Sequence, residues 1–415
     1  MPPKPMTSRE RVRAALNHQQ PDRVPIDLGS MRASSINVAL YQKIKNRLSL
    51  GTPTRVIDHM SMLPEVEPEV LQRFHVDVVP LEGSSAAWCE TPAERGQKWT
   101  LFTGETVYVE PQARRRIEPD GSWVLLNAAG EIFARMPKDG FYFDFVRPTM
   151  SAVTIDPAKC RPSATVRDEE LEIFARRAKA LYENTDKAIF GWGASISFFG
   201  LSALLSDNIT QGSLDEWLCL LMTEKETATE MMGRCTDAAI ARTKLFHQAA
   251  GDRIMIWGVA SDDAGTQRAG LIQPELFDEM IKPHYVRFCD WVHKNTSWKT
   301  FLHSCGAVHD YIPGWIDAGI DIINPVQISA TNMEPERLMA DFGGRIVFWG
   351  GGAETQHVLP SATPEEVRRH VQHNLSVFAA RPGGYVFTQV HNLQPHVPPE
   401  NVEAMFDAAY EFGKM

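Results

Sequence analysis

The sequence lacks most of what would tie it to nucleic acid, a membrane or an oxidising compartment. Its 42 basic residues are outnumbered by 52 acidic ones, a formal net charge of −10. That excludes a general nucleic-acid binder, which needs a cationic face, although not a local patch. No stretch reaches 18 uninterrupted apolar residues, which argues against a membrane span. Six cysteines are spread over 415 residues and form no CxxC pair, so neither a zinc ribbon nor a thioredoxin-like site is indicated. The opening residues, Met1 to Met6, carry no apolar signal-peptide core, and a reducing cytoplasm is the simplest compartment. No GxGxxG follows the first apolar run, which weakens a dinucleotide-binding fold.

What is present is a globular balance of 43% hydrophobic and 23% charged residues. Short apolar runs alternate with helical patterns along the chain. Runs near residues 24, 77, 188, 254, 300, 321, 345 and 385 read as eight strands. Helices are expected at about Ser8–Asn17, capped by Thr7 or Ser8, at Ile36–Leu48, Pro64–Phe74, Asp168–Asn184 and Phe198–Leu205, and then at Ser213–Ala250, Gln273–Asn295, Asp310–Ala318, Glu334–Phe342, Thr363–Ala380 and Pro399–Phe412. Strands this apolar belong to a parallel sheet buried on both faces, and eight units predict an α/β fold, a (β/α)₈ TIM barrel. A doubly wound open sheet is the alternative. Residues 96–145 break the pattern with β-rich segments punctuated by Gly104, Asp120-Gly121 and Ala129-Gly130. They read as an inserted antiparallel β-region inside one barrel spanning 1–415.

In such a barrel the site belongs at the C-terminal ends of the strands. His303 and Cys305 end the fifth strand, and residues i and i+2 point to one face, so imidazole and thiolate can converge on a cation. Zinc suits those donors, while a buried Cys beside a buried His would read the same way. His391 ends the eighth strand, as a further ligand or as a hydrogen-bonded histidine at the mouth. Asp262 and Asp263 end the fourth, as partners of the histidines, a substrate site or a helix cap. Asn324 and Gln327 end the sixth. The Gly350–Gly352 run is either a phosphate cradle or a tight turn. Trp192, Phe198, Phe199, Trp257 and Trp349 stand near strand ends, as pocket walls or as core.

The opening Ser8–His18 with Pro21–Pro25, then Ser261–Gln267, His303–Gly306, Gly319–Gln327, Phe348–Gly352, Val390–Gln394 and Pro398–Asn401, resembles the uroporphyrinogen decarboxylase superfamily. Within it, the closer likeness is to the branch of zinc-containing, corrinoid-dependent methyltransferases. The resemblance implies the same barrel. Decarboxylases of this superfamily carry an arginine-rich N-terminal motif, whereas Asp27–Arg32 holds one arginine, so porphyrinogen decarboxylation is disfavoured. The methyltransferases bind zinc through a His-x-Cys pair and a distant Cys. His303 and Cys305 match the pair, and His391 stands where the distant Cys falls. The implied cofactors are zinc and a corrinoid supplied by a partner protein. The implied substrate is a small methylated compound: a methyl ether, a methoxyaromatic or a methylamine. Asp262, Asp263, Asn324 and Gln327 are then the candidate catalytic residues, orienting ligands or contacting substrate. A metal-independent decarboxylase or lyase and a silent corrinoid- or ligand-binding barrel are the rival readings. The sequence does not set the oligomeric state; dimers are common among soluble enzymes, so a homodimer is one option.

Overall fold

A computed structural model describes residues 5–83, 86–146, 155–199 and 214–415. Seven parallel strands form one curled sheet: β1 (Val78–Glu82), β2 (Ala188–Trp192), β3 (Ile256–Ser261), β4 (Lys299–His303), β5 (Ile322–Asn324), β6 (Val347–Trp349) and β7 (Tyr385–Val386), neighbouring one another in chain order. The expected first strand near residue 24 is only a bridge, yet it closes the ring. Ile26 pairs in parallel with Phe387, just past β7, and the Asp77 N–H donates to the Ile26 carbonyl at 2.8 Å. The architecture is the (β/α)₈ barrel, not the open doubly wound sheet.

Alternation along the strands builds two apolar layers. Val78, Phe190, Ile256, Phe301, Ile322, Val347 and Val386 share an inner cluster with Val12 and Leu16 of the first helix. Their neighbours Val79, Ile189, Trp257, Leu302, Ile323 and Phe348 pack into the larger cluster between sheet and helices. Side chains one apart on a strand point oppositely, so both faces must be apolar. The first helix, Ser8–Leu16, starts at a capping box in which Thr7 and Glu10 satisfy each other's backbone N–H groups. It plugs the N-terminal end of the barrel.

Several expected helices differ in detail. Ser213–Ala250 is two helices, Leu214–Thr223 and Lys225–Ala250, joined at Glu224. Gln273–Asn295 contains a wide π turn over Phe277–Ile281 just before Lys282–Asn295. Pro283 sits there without an N–H to donate, and a local widening accommodates it. The Phe198–Leu205 helix falls largely outside the described residues.

The insertion is antiparallel, as its turn residues predict. A hairpin pairs Gln97–Thr100 with Thr106–Val109, and a four-stranded sheet runs through Arg115–Ile117, Trp123–Leu126, Ile132–Met136 and Asp144–Phe145. Gly121 and Gly130 take positive φ values of 82° and 85°, which the turns require. The two sheets share a core in which Trp99 meets Trp123 edge-on at 5.9 Å. Asn37 Nδ2 donates to the Phe141 carbonyl and the Phe143 N–H to the Met60 carbonyl, tying the insertion to the barrel.

Candidate metal centre and its cavity

His303 is the last residue of β4, and it shares the inward parity of Phe301. Cys305 follows two positions later and keeps that direction. The chain must then turn sharply. Gly306 takes φ 97°, and a Cβ there would stand 2.2 Å from the Gly265 carbonyl oxygen, so only glycine fits. Asp263 Oδ1 accepts the Cys305 N–H at 2.9 Å, and Gln327 Oε1 accepts the Gly306 N–H at 2.8 Å. Asp263 and Gln327 thus fix the loop that presents the thiol.

His391 comes from the loop after β7. The buried Gln389 anchors that loop by donating to the Ser34 carbonyl at 2.8 Å, and the Val390 N–H donates to the Ala353 carbonyl. One ligand atom each from His303, Cys305 and His391 lies within 4.8 Å of the others. Cys305 Sγ is 3.5 Å from His303 Nε2. Tetrahedral zinc at its usual bond lengths holds N and S donors roughly 3.3–3.6 Å apart, so a small contraction suffices.

The far side of each imidazole is tied. His303 Nδ1–H donates to Asn324 Oδ1 at 2.6 Å, and Asn324 is held in turn by its Nδ2–H donating to the Trp349 carbonyl at 2.8 Å. His391 Nδ1–H donates to Asn392 Oδ1 at 2.7 Å. Both rings therefore keep Nε2 as the lone-pair nitrogen, the tautomer a metal needs. Burial pushes the Cys305 thiol up and the His391 imidazole down, with nearby Asp263 and His303 respectively adding to the effect. The surrounding protein partly desolvates the otherwise exposed Asp263 and opposes its ionisation, but His303 and the Cys305 N–H outweigh this and hold that carboxyl low. Two imidazoles and a thiol beside a carboxylate form a set that a divalent cation would convert to ligands, releasing the thiol proton.

Asp262 is placed elsewhere. Its carboxylate accepts from Ser197 Oγ at 2.9 Å, the Phe198 and Phe199 N–H groups at 2.5 and 2.6 Å, and Tyr285 Oη at 2.9 Å. It points outward and secures the chain after β2. The cause is a register shift in β3 between Gly258 and Ala260, which reverses the parity counted from Ile256. The glycine run is a turn: the N–H groups of Gly350, Gly351 and Gly352 already donate to the carbonyls of Val386, Pro325 and Thr388. Phe198, Phe199, Trp257 and Trp349 are core, and only Trp192 of the five aromatics faces the cavity.

That cavity, about 510 Å³, opens beside His303 and His391. Its wall also carries Arg32, Glu82, Glu170 and Arg242, none of which the sequence reading selected. Glu82 ends β1 and should have been found by the strand-end rule. Burial pushes its carboxyl up, and Arg32 pulls the other way. Arg32 Nε stands 3.1 Å from Asp58 Oδ2. Arg242 reaches in from the helix Lys225–Ala250.

Among solved structures, a methyltransferase from Methanosarcina mazei is similar over 98% of this chain and 99% of its own, with a TM-score of 0.55 and 15% sequence identity. At that identity the likeness speaks for the fold alone. No curated protein matches the chain. No described helix is long and apolar enough to cross a membrane. A family model, uroporphyrinogen decarboxylase (URO-D), matches residues 140–412, a span that runs from the end of the insertion through β2 to the last helix and includes all three converging side chains. The chain belongs to the URO-D family.

Proposed function

We propose that this chain is a zinc-dependent methyltransferase. It moves a methyl group from a small methylated substrate to the cobalt of a separate corrinoid protein. The observation that carries the reading is the convergence of His303, Cys305 and His391 on one point beside the cavity, with each imidazole oriented from behind. The donor set fits zinc with one position open, the arrangement of catalytic rather than structural sites. When bound, zinc supplies a Lewis acid for the heteroatom that carries the methyl group.

The chain's own residues do the rest. Asn324 and Asn392 hold the imidazoles so that their Nε2 atoms face inward. Asp263 and Gln327 hold Cys305 in place. With one thiolate and two neutral imidazoles, the ligands carry one negative charge, fewer than a set with two thiolates. That leaves the centre more electrophilic, which suits stabilising a leaving heteroatom more than activating a thiol acceptor. The demethylating half-reaction is therefore favoured. Trp192 and the small residues Ala194, Ala238 and Ala239 leave room for the substrate body.

Zinc content of the chelator-washed, zinc-reconstituted chain tests the reading, together with methyl transfer to cob(I)alamin. About one zinc per chain is expected, with His391→Ala losing both metal and transfer. A chain that retains no zinc would overturn it, as would transfer unchanged by His303→Ala and Cys305→Ala.

A further inference from the structure

We propose that the substrate of this cavity is an anion, its carboxylate paired with Arg242 while its methylated heteroatom faces His303, Cys305 and His391. This rests on the methyltransferase reading and adds to it the substrate class.

Cys235, Ala238, Ala239 and Arg242 all line the cavity. Their spacing, i, i+3, i+4 and i+7, is one face of a helix. Three small side chains open the space, and the fourth reaches into it with a fixed charge. Arg242 Nη2 donates to the Gly193 carbonyl at 3.0 Å, just past β2. Its Nε is buried and has no hydrogen-bond partner. Among the described residues Arg242 makes no ion pair, unlike Arg234 on the same helix, which pairs with Glu230.

A half-buried guanidinium whose Nε is cut off from water and unpartnered is left short of one hydrogen bond, and its planar fork matches a carboxylate. The other charges on the wall do not answer it. Arg32 stands between Asp58 and Glu82 and is balanced there. Glu82 has its cation in Arg32, which pulls its carboxyl down against the burial that raises it. Glu170 remains on the wall, so the site selects an anion that reaches Arg242 itself rather than any negative charge.

The body of the ligand follows from Trp192. Its ring stacks on Phe190 at 5.9 Å with planes 13° apart, and a Cβ on Gly258 would lie 2.0 Å from it. The indole is thus a fixed wall of the cavity. A volume of about 510 Å³ holds a single ring with its substituents. A methoxylated aromatic acid satisfies all three features.

Calorimetric binding of 3-methoxybenzoate and of neutral 3-methoxybenzyl alcohol to the full chain, with and without added zinc, tests this. The wild-type chain should bind the acid at least about tenfold more tightly than the alcohol. Arg242→Gln should abolish that preference and leave the alcohol's affinity unchanged, and Arg242→Lys should keep part of it. Equal affinity for acid and alcohol in the wild type, or a preference that survives in Arg242→Gln, overturns the proposal. The two readings fail separately. Acid binding through Arg242 without methyl transfer to cob(I)alamin keeps the anion site and removes the methyltransferase. Transfer from neutral ethers or amines alone does the reverse.

Discussion

The two ends of the barrel treat charge in opposite ways. At the N-terminal end Asp77 is fully buried, and its carboxylate takes Arg11 Nη1 at 2.7 Å, Arg23 Nη1 at 2.7 Å and the Ile26 N–H at 2.9 Å. Asp22 completes Arg11 at 2.6 Å. Every strong donor there has its acceptor inside the chain. At the C-terminal end His303 and His391 are each tied at Nδ1 and turn Nε2 toward the mouth, where His303 Nε2 meets the Cys305 thiol at 3.5 Å, and Arg242 has no ion pair among the described residues. A closed network fixes the ring where the first segment meets β1. An open one is arranged for something the chain does not itself contain. The difference separates residues that hold the fold from residues that use it, and each variant below tests on which side a residue falls.

The largest effect is expected at the closed end. Asp77→Ala would leave Arg23 facing only the carbonyls of Val24 and His75. Breaking a buried pair by removing one partner costs about 3–5 kcal/mol. A urea titration should show that loss as a lower midpoint, and zinc bound per folded chain should not change. If zinc affinity fell in step with stability, the two ends would be coupled and the division between them would be lost.

The same division explains what the sequence could reveal. Closed features announce themselves locally. The helix start at Thr7 or Ser8, the turn glycines of the insertion and the apolar strands alternating with helices were all legible, because each is set by neighbours a few residues away. The last helix was expected and found at Pro399–Phe412. The His303–Cys305 pair was legible for a similar reason, since i and i+2 on a strand share a face. His391 was legible as a candidate from its place at the end of the eighth strand, while its pairing with His303 and Cys305 rested on the family resemblance, because its distance from Cys305 in the chain carries no geometric signal. Asp262 and Asp263 could not be told apart, because the register shift that turns one outward and the other inward lies in backbone pairing, not in side-chain pattern. Arg242 was invisible to any rule about strand ends, being a helix residue that reaches over the sheet. Its spacing from Cys235, Ala238 and Ala239 was present, but small residues on a helix face usually mark close packing.

Asn324 sharpens the comparison at the open end. It bridges His303 Nδ1–H to the Trp349 carbonyl, so it belongs to the fold by one contact and to the centre by the other. Removing a residue that orients a metal-bound histidine lowers metal affinity by about 10–100-fold. Asn324→Ala should therefore weaken zinc binding in a chelator competition by that factor, and Asn324→Asp, which keeps the acceptor, should restore most of it. Equal loss in both variants would mean that the Trp349 contact matters most and that Asn324 is part of the closed scaffold.

Asp263 is the finest test, because its sequence neighbour Asp262 lies on the other side of the divide. The Asp263 side chain is 63% exposed, and its Oδ1 is 3.8 Å from His303 Nε2 while accepting the Cys305 N–H. An exposed charge that near a cation contributes only about 0.2–1 kcal/mol. Asp263→Asn keeps an acceptor oxygen and removes the charge, so zinc affinity should fall about two- to fivefold with the urea midpoint unmoved. A loss beyond about 100-fold would have another meaning, since only a direct ligand is worth that much. Asp263 would then close the fourth position, which a catalytic zinc must keep open for substrate. The mouth would hold a saturated structural ion, and both ends of the barrel would be closed.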